Sequence, residues 1–67
     1  MDYSIMIIKI RAVLNISQEE LAKMIGVSFT TINRWENNRV TPSKKHICML
    51  ENICSLNNIN LFEKKGI

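Results

Sequence analysis

Thr30, Asn33, Arg34 and Asn37 are spaced so that a helix through them would gather all four on one side. At about 100° per residue, with Ile32 set to zero, Trp35 and Glu36 fall within about 60° of it and the four lie near the opposite side. Ile32 and Trp35 therefore face inward. The outward set holds one Arg, two Asn and no acid, and flat groups with adjacent donors and acceptors match the edges of nucleic-acid bases. Arg34 suits guanine, Asn33 suits adenine, and Phe29 or the Thr30 methyl suits the methyl of thymine. A merely solubilising face would more often mix Glu with Lys. Phe29 lies between the two faces on the wheel, so completion of the core is an equal reading for it.

Such side chains need a rigid mount, and Ser17 to Asn37, SQEELAKMIGVSFTTINRWEN, reads as two short helices joined by one glycine. Ser17 can accept from the N–H three residues on while Glu20 reaches back to the Ser17 N–H, which is a capping box. Leu21, Ala22 and Ile25 recur on one face, and Ala22 is small enough for a second helix to cross closely. Gly26 stops the run at a place that calls for a positive φ angle, Val27 points inward, and Ser28 caps the second helix.

Carried by Ser17-Gln18, Leu21-Ala22, Gly26-Val27-Ser28, Ile32 and Trp35-Glu36-Asn37, the stretch resembles the helix-turn-helix domain of the phage repressor and Cro family. The likeness runs from about Ile7 to Leu56. It implies an all-α fold, a compact bundle of four or five helices, and a sequence-specific DNA-binding transcriptional regulator, expected to be a repressor, with helix 28–37 in the major groove. Ser28, Phe29, Thr30, Asn33 and Arg34 match the family positions that read bases. Gln18, at a helix N-terminus that favours anions, is expected to meet phosphate. Asn37, Arg39, Lys44 and Lys45 join it. In this family an Arg at the end of the first helix pairs with the Glu near the end of the recognition helix, and Arg11 and Glu36 occupy those places. The family usually has Gly where Asn15 and Asn38 stand, and Asn is the next best residue at positive φ. Many members carry Gln at the front of the recognition helix. Its absence here means that no known operator transfers.

At 67 residues the chain is expected to form one domain, 1–67, with about 7–56 carrying the family match and 57–67 a tail. A net charge of +3 and a pI near 9.1 favour a polyanionic partner. Cys48 and Cys54 are six residues apart on one expected helix, so they cannot bridge each other and read as core or half-buried thiols in a reducing compartment. One His and two badly spaced Cys are too few for a metal site, and no cofactor is implied. His46 has no nucleophile near it, and paired carboxylates and Gly-rich phosphate loops are absent, so an enzyme is not expected. Neither a leader nor a span is read, which points to the cytoplasm, with regulation by protein concentration and no small-molecule effector.

Around the motif, Asp2 or Ser4 can cap a first helix to about Leu14, with Ile7, Ile10 and Leu14 buried and Met6 and Val13 flanking them. Pro42 is placed to open a later helix to Leu56 that buries Ile47, Leu50, Ile53 and Cys54. Ile59, Leu61 and Phe62 then offer an apolar cluster that lies back on the first helix or meets a second copy. A weak homodimer through this tail is the expectation, with 63–67 fraying. The competing class is a protein-interaction module, an antitoxin or adaptor built on the same bundle, and its mark would be an apolar outward face.

Overall fold

A computed structural model describes residues 2–60. In order they form α1 (Tyr3–Leu14), α2 (Gln18–Ile25), α3 (Phe29–Glu36) and α4 (Lys44–Leu56), with no strand among the described residues. The expectations placed on Leu61, Phe62 and 63–67 lie outside the described residues.

All four helices start and stop by the same chemistry. Asp2, Ser17, Ser28 and Ser43 are extended residues whose side-chain oxygens accept from the N–H of Ser4, Glu20, Thr31 and His46. At Ser17 the reciprocal bond from Glu20 completes the capping box. At the other ends the chain passes through left-handed backbone at Asn15, Gly26, Asn38 and Asn58. The next N–H then turns back five residues to a helix carbonyl: Ile16 to Arg11, Val27 to Ala22, Arg39 to Arg34 and Ile59 to Cys54, at 2.8–3.1 Å. These bonds satisfy carbonyls that a helix end otherwise leaves unpaired. Asn takes the positive φ at three of the four stops.

Two starts differ from expectation. Asp2, not Ser4, caps α1; Ser4 is buried, and its hydroxyl donates to the Asp2 carboxylate at 2.6 Å. That bond holds the Asp2 carboxyl below the usual range. Pro42 does not open α4. It lies one residue before the Ser43 cap and is buried beside the concavity that Tyr3 and Trp35 also line. Ser43 takes the cap, its side-chain oxygen accepting from the His46 N–H, and a proline before the cap costs no hydrogen bond.

The core lies where the four helices meet. Met6, Ile7 and Ile10 of α1 pack with Leu21, Ala22 and Ile25 of α2, with Ile32 and Trp35 of α3, and with Leu50 and Cys54 of α4. Ile59 closes one end. Ala22, 4% exposed, gives α3 a close approach to α2, and Ile32 is fully buried. Leu14, Ile16, Val27 and Ile53 are half-buried against this cluster. Ile47 is also only half-buried, and Val13 is exposed. Val13 turns outward because α1 has more apolar residues than one face can hold; Ile5 and Ile8 are exposed with it.

The two thiols part company. Cys48, expected to be at least half-buried, is exposed, and Cys54 is buried; both are free. Burial pushes the Cys54 thiol up, and Glu51 adds to this. Because the folded state then holds its proton more tightly than the unfolded state, the associated stability is present below the ordinary thiol range. It is lost as pH rises through the raised value. A thiol reagent at pH 8 should therefore label Cys48 rapidly and Cys54 only as fast as the chain opens, and equal rates would show that Cys54 is open to solvent.

Candidate nucleic-acid interface

The surface of interest is built from the start of α2, the outward side of α3 and the first turn of α4. Its foundation is an ion pair beneath α3. Glu36, on the inward side of that helix, receives the Arg11 Nε at 2.7 Å on Oε2 and the Arg11 Nη2 at 3.2 Å on Oε1. The side chains of Arg11 and Glu36 are 26% and 8% exposed. Arg11 Nη1 also donates to the Ile16 carbonyl at 3.3 Å, so one guanidinium ties α1 to the following turn and to α3. The hydrogen bonds that Arg11 donates to Glu36 raise its affinity for its proton against the opposing effect of burial.

Gln18 is the first residue of α2 and half-buried. Its Nε2 donates to Glu36 Oε1 at 2.8 Å, and its Oε1 accepts from Asn33 Nδ2 at 3.4 Å. Asn37 Nδ2 in turn donates to Asn33 Oδ1 at 3.3 Å and to the Asn33 carbonyl at 2.8 Å. Five of the singled-out residues, Arg11, Glu36, Gln18, Asn33 and Asn37, are thus one hydrogen-bonded chain running from beneath α3 to its outer face.

The other outward residues stand apart from that chain. Thr30 and Arg34 are exposed. Phe29 is 48% exposed and so does not complete the core. Ser28 is exposed, but its hydroxyl already accepts from the Thr31 N–H at 3.1 Å and bonds the Thr31 hydroxyl at 2.9 Å. Arg39 lies in the loop after α3, and Lys44 and Lys45 lie in the first turn of α4. Arg34, Arg39, Lys44 and Lys45 have no ion-pair partner among the described residues. Cations at a helix N-terminus oppose its dipole, so nothing in the fold explains Lys44 and Lys45. Trp35, 3% exposed, is a packing residue, its ring 5.4 Å from that of half-buried His46. No group of His, Cys, Asp and Glu able to hold a metal occurs among the described residues. No helix there is long and apolar enough to cross a membrane.

The sequence reading missed the link from Gln18 to Glu36 and Asn33. Asn33 and Asn37 are four apart, so their contact is legible from helical spacing. The bonds of Gln18 cross between helices, and no local pattern signals them.

A family model described as helix-turn-helix matches residues 7–57. No curated protein matches the chain, and no solved structure does.

The ion pair makes an unequal prediction for its two partners. Arg11→Ala strands a buried carboxylate, whereas Glu36→Ala leaves a guanidinium that is already part-exposed and can turn to water. Chemical denaturation should show Arg11→Ala losing about 2–3 kcal/mol and Glu36→Ala about 1–2. The double variant should lose less than the sum by about 1 kcal/mol. Additive losses would mean that the contact contributes no coupling.

Proposed function

The chain belongs to the helix-turn-helix family of DNA-binding regulators, and from that premise we propose that it is a sequence-specific transcriptional repressor acting in the cytoplasm. The helix over 28–37 lies in the major groove of double-stranded DNA. Ser28, Phe29, Thr30, Asn33 and Arg34 meet base edges there. Gln18, Asn37, Arg39, Lys44 and Lys45 meet phosphates and set the register. The observation that carries this reading is the outward side of α3: Thr30, Asn33, Arg34 and Asn37 are all exposed. The one acid of that helix, Glu36, is turned beneath it and held by Arg11. The face offered to a partner is polar, unacidic and flanked by unpaired cations. An apolar partner protein would find little there beyond Phe29.

Selection of bound sites from random DNA tests the reading directly. One enriched sequence motif is expected, and no enrichment over the starting pool would overturn it. On the selected site Arg34→Ala should lose about 1–3 kcal/mol and relax the preference at one base pair. Lys44→Ala should weaken selected and scrambled duplexes alike and lower the salt slope by about one unit, since one fewer counterion is released. Equal losses on both duplexes for Arg34→Ala would make Arg34 a backbone contact.

One such head covers a short site, so we further propose that two copies bind half-sites about one helical turn, roughly 34 Å, apart. Leu61 and Phe62 are assigned to a weak contact between the copies. Sedimentation at rising concentration should show self-association that Leu61→Asp or Phe62→Asp weakens. A protein that stays monomeric both free and on DNA would refute the pairing.

A further inference from the structure

The bonds among Gln18, Asn33 and Asn37 have a direction, and chemistry alone fixes it. A carboxylate only accepts, so the atom that Gln18 turns to Glu36 Oε1, at 2.8 Å, must be its NH2 group. Gln18 then has only its carbonyl oxygen for Asn33. Asn33 must therefore offer its own NH2, at 3.4 Å, and is left with its oxygen toward Asn37. The far end agrees. Asn37 also donates to the Asn33 backbone carbonyl at 2.8 Å, another group that only accepts, so Asn37 too must present NH2. Two acceptor-only groups at opposite ends impose the same sense on every amide between them. Turning any one over would set NH2 against NH2 or oxygen against oxygen.

We propose that Glu36 is a positioning residue for base recognition: acting through Gln18, its carboxylate locks the Asn33 side chain with the amide nitrogen toward the start of α2 and the oxygen toward the end of α3. This rests on the assignment of Asn33 to a base edge made above. An amide that is free to turn over presents donor and acceptor in either order. The locked one presents a single order. Asn33 keeps one free N–H and one free lone pair after its two internal bonds, which is the complement an adenine edge requires. With the order fixed, Asn33 distinguishes adenine from the other bases at its step without first losing the freedom to turn over. The side chain is thereby prepaid in entropy before DNA arrives. Arg11 holds the Glu36 carboxylate in place through two hydrogen bonds, so the ion pair has a part in reading as well as in stability.

Gln18→Met tests the relay, because it keeps the chain length, removes both amide bonds and leaves Arg11 on Glu36. In the free protein the NH2 resonances of Asn33 should shift and exchange faster with water in this variant, while those of exposed Asn52 stay put. Unchanged Asn33 resonances would overturn the relay without touching the DNA reading. On DNA, all single-base variants of the selected site are titrated against wild type, Asn33→Ala and Gln18→Met. Asn33→Ala marks the base pair it reads by a loss of discrimination there of about tenfold. Gln18→Met should lose several-fold at that same base pair and keep the preference at the pair marked by Arg34→Ala. A uniform loss on every duplex, with discrimination at the Asn33 pair intact, would leave Gln18 a phosphate contact only and overturn the proposal. If Asn33→Ala altered no base preference, the base assignment of Asn33 would fall, and the positioning role with it.

Discussion

The Arg11–Glu36 pair is the constraint on which the rest of the molecule depends. A carboxylate that is 8% exposed would be strongly destabilising without partners. Here both oxygens are used: Oε2 accepts from Arg11, and Oε1 accepts from Arg11 and from Gln18. With the Ile16 carbonyl also bound to the guanidinium, the last turn of α1, the turn after it, the start of α2 and the end of α3 are held at one point. Helices α2 and α3 have eight residues each. Alone, helices of that length are marginal in water, so they exist because this junction and the Ile32–Leu21 core hold them.

Economy at the helix ends matters equally in so short a chain. Each start is closed by its own Asp or Ser, and each stop by a left-handed Asn or Gly followed by a bond to a carbonyl five residues back. Loops of three residues between α1, α2 and α3 therefore leave no backbone demand for the core to meet. No buried side-chain polar atom lacks a partner among the described residues. The core is free to be purely apolar, and the polar residues are free to serve the surface.

What was legible in the chain follows the same division. The capping box at Ser17, the stop at Gly26, the positive φ at Asn15 and Asn38 and the inward Ile32 and Trp35 are all set within a few residues, and spacing exposes them. Ile47 and Cys48 were placed deeper than they lie because burial on α4 depends on which neighbour arrives, and that helix carries more apolar residues than its inner face uses. Pro42 was misplaced by one cap, since proline before a serine cap and proline inside the first turn look alike in sequence. Phe29, midway on the wheel, lies outward, and its position there left both readings open in the sequence. The Gln18 bonds were illegible because the atoms involved are fifteen and eighteen residues apart and carry no periodic mark.

Charge placement explains how a modest excess can still serve a polyanion. The start of α2 carries Glu19 and Glu20, which suit its dipole but repel a phosphate. Glu20 spends its carboxylate on the Ser17 N–H, and Ser17 spends its hydroxyl on the Glu20 N–H. By helix geometry the N–H groups of Gln18 and Glu19 still point outward without an intrahelical partner. On the proposed reading, a phosphate there is bound by directed N–H groups against a local negative charge. The long-range attraction must come instead from Arg34 on α3, Arg39 in the loop after it, and Lys44 and Lys45 in the first turn of α4. Attraction and alignment are thus assigned to different residues. Salt would weaken the first through screening and leave the second, a matter of hydrogen-bond geometry, largely in place.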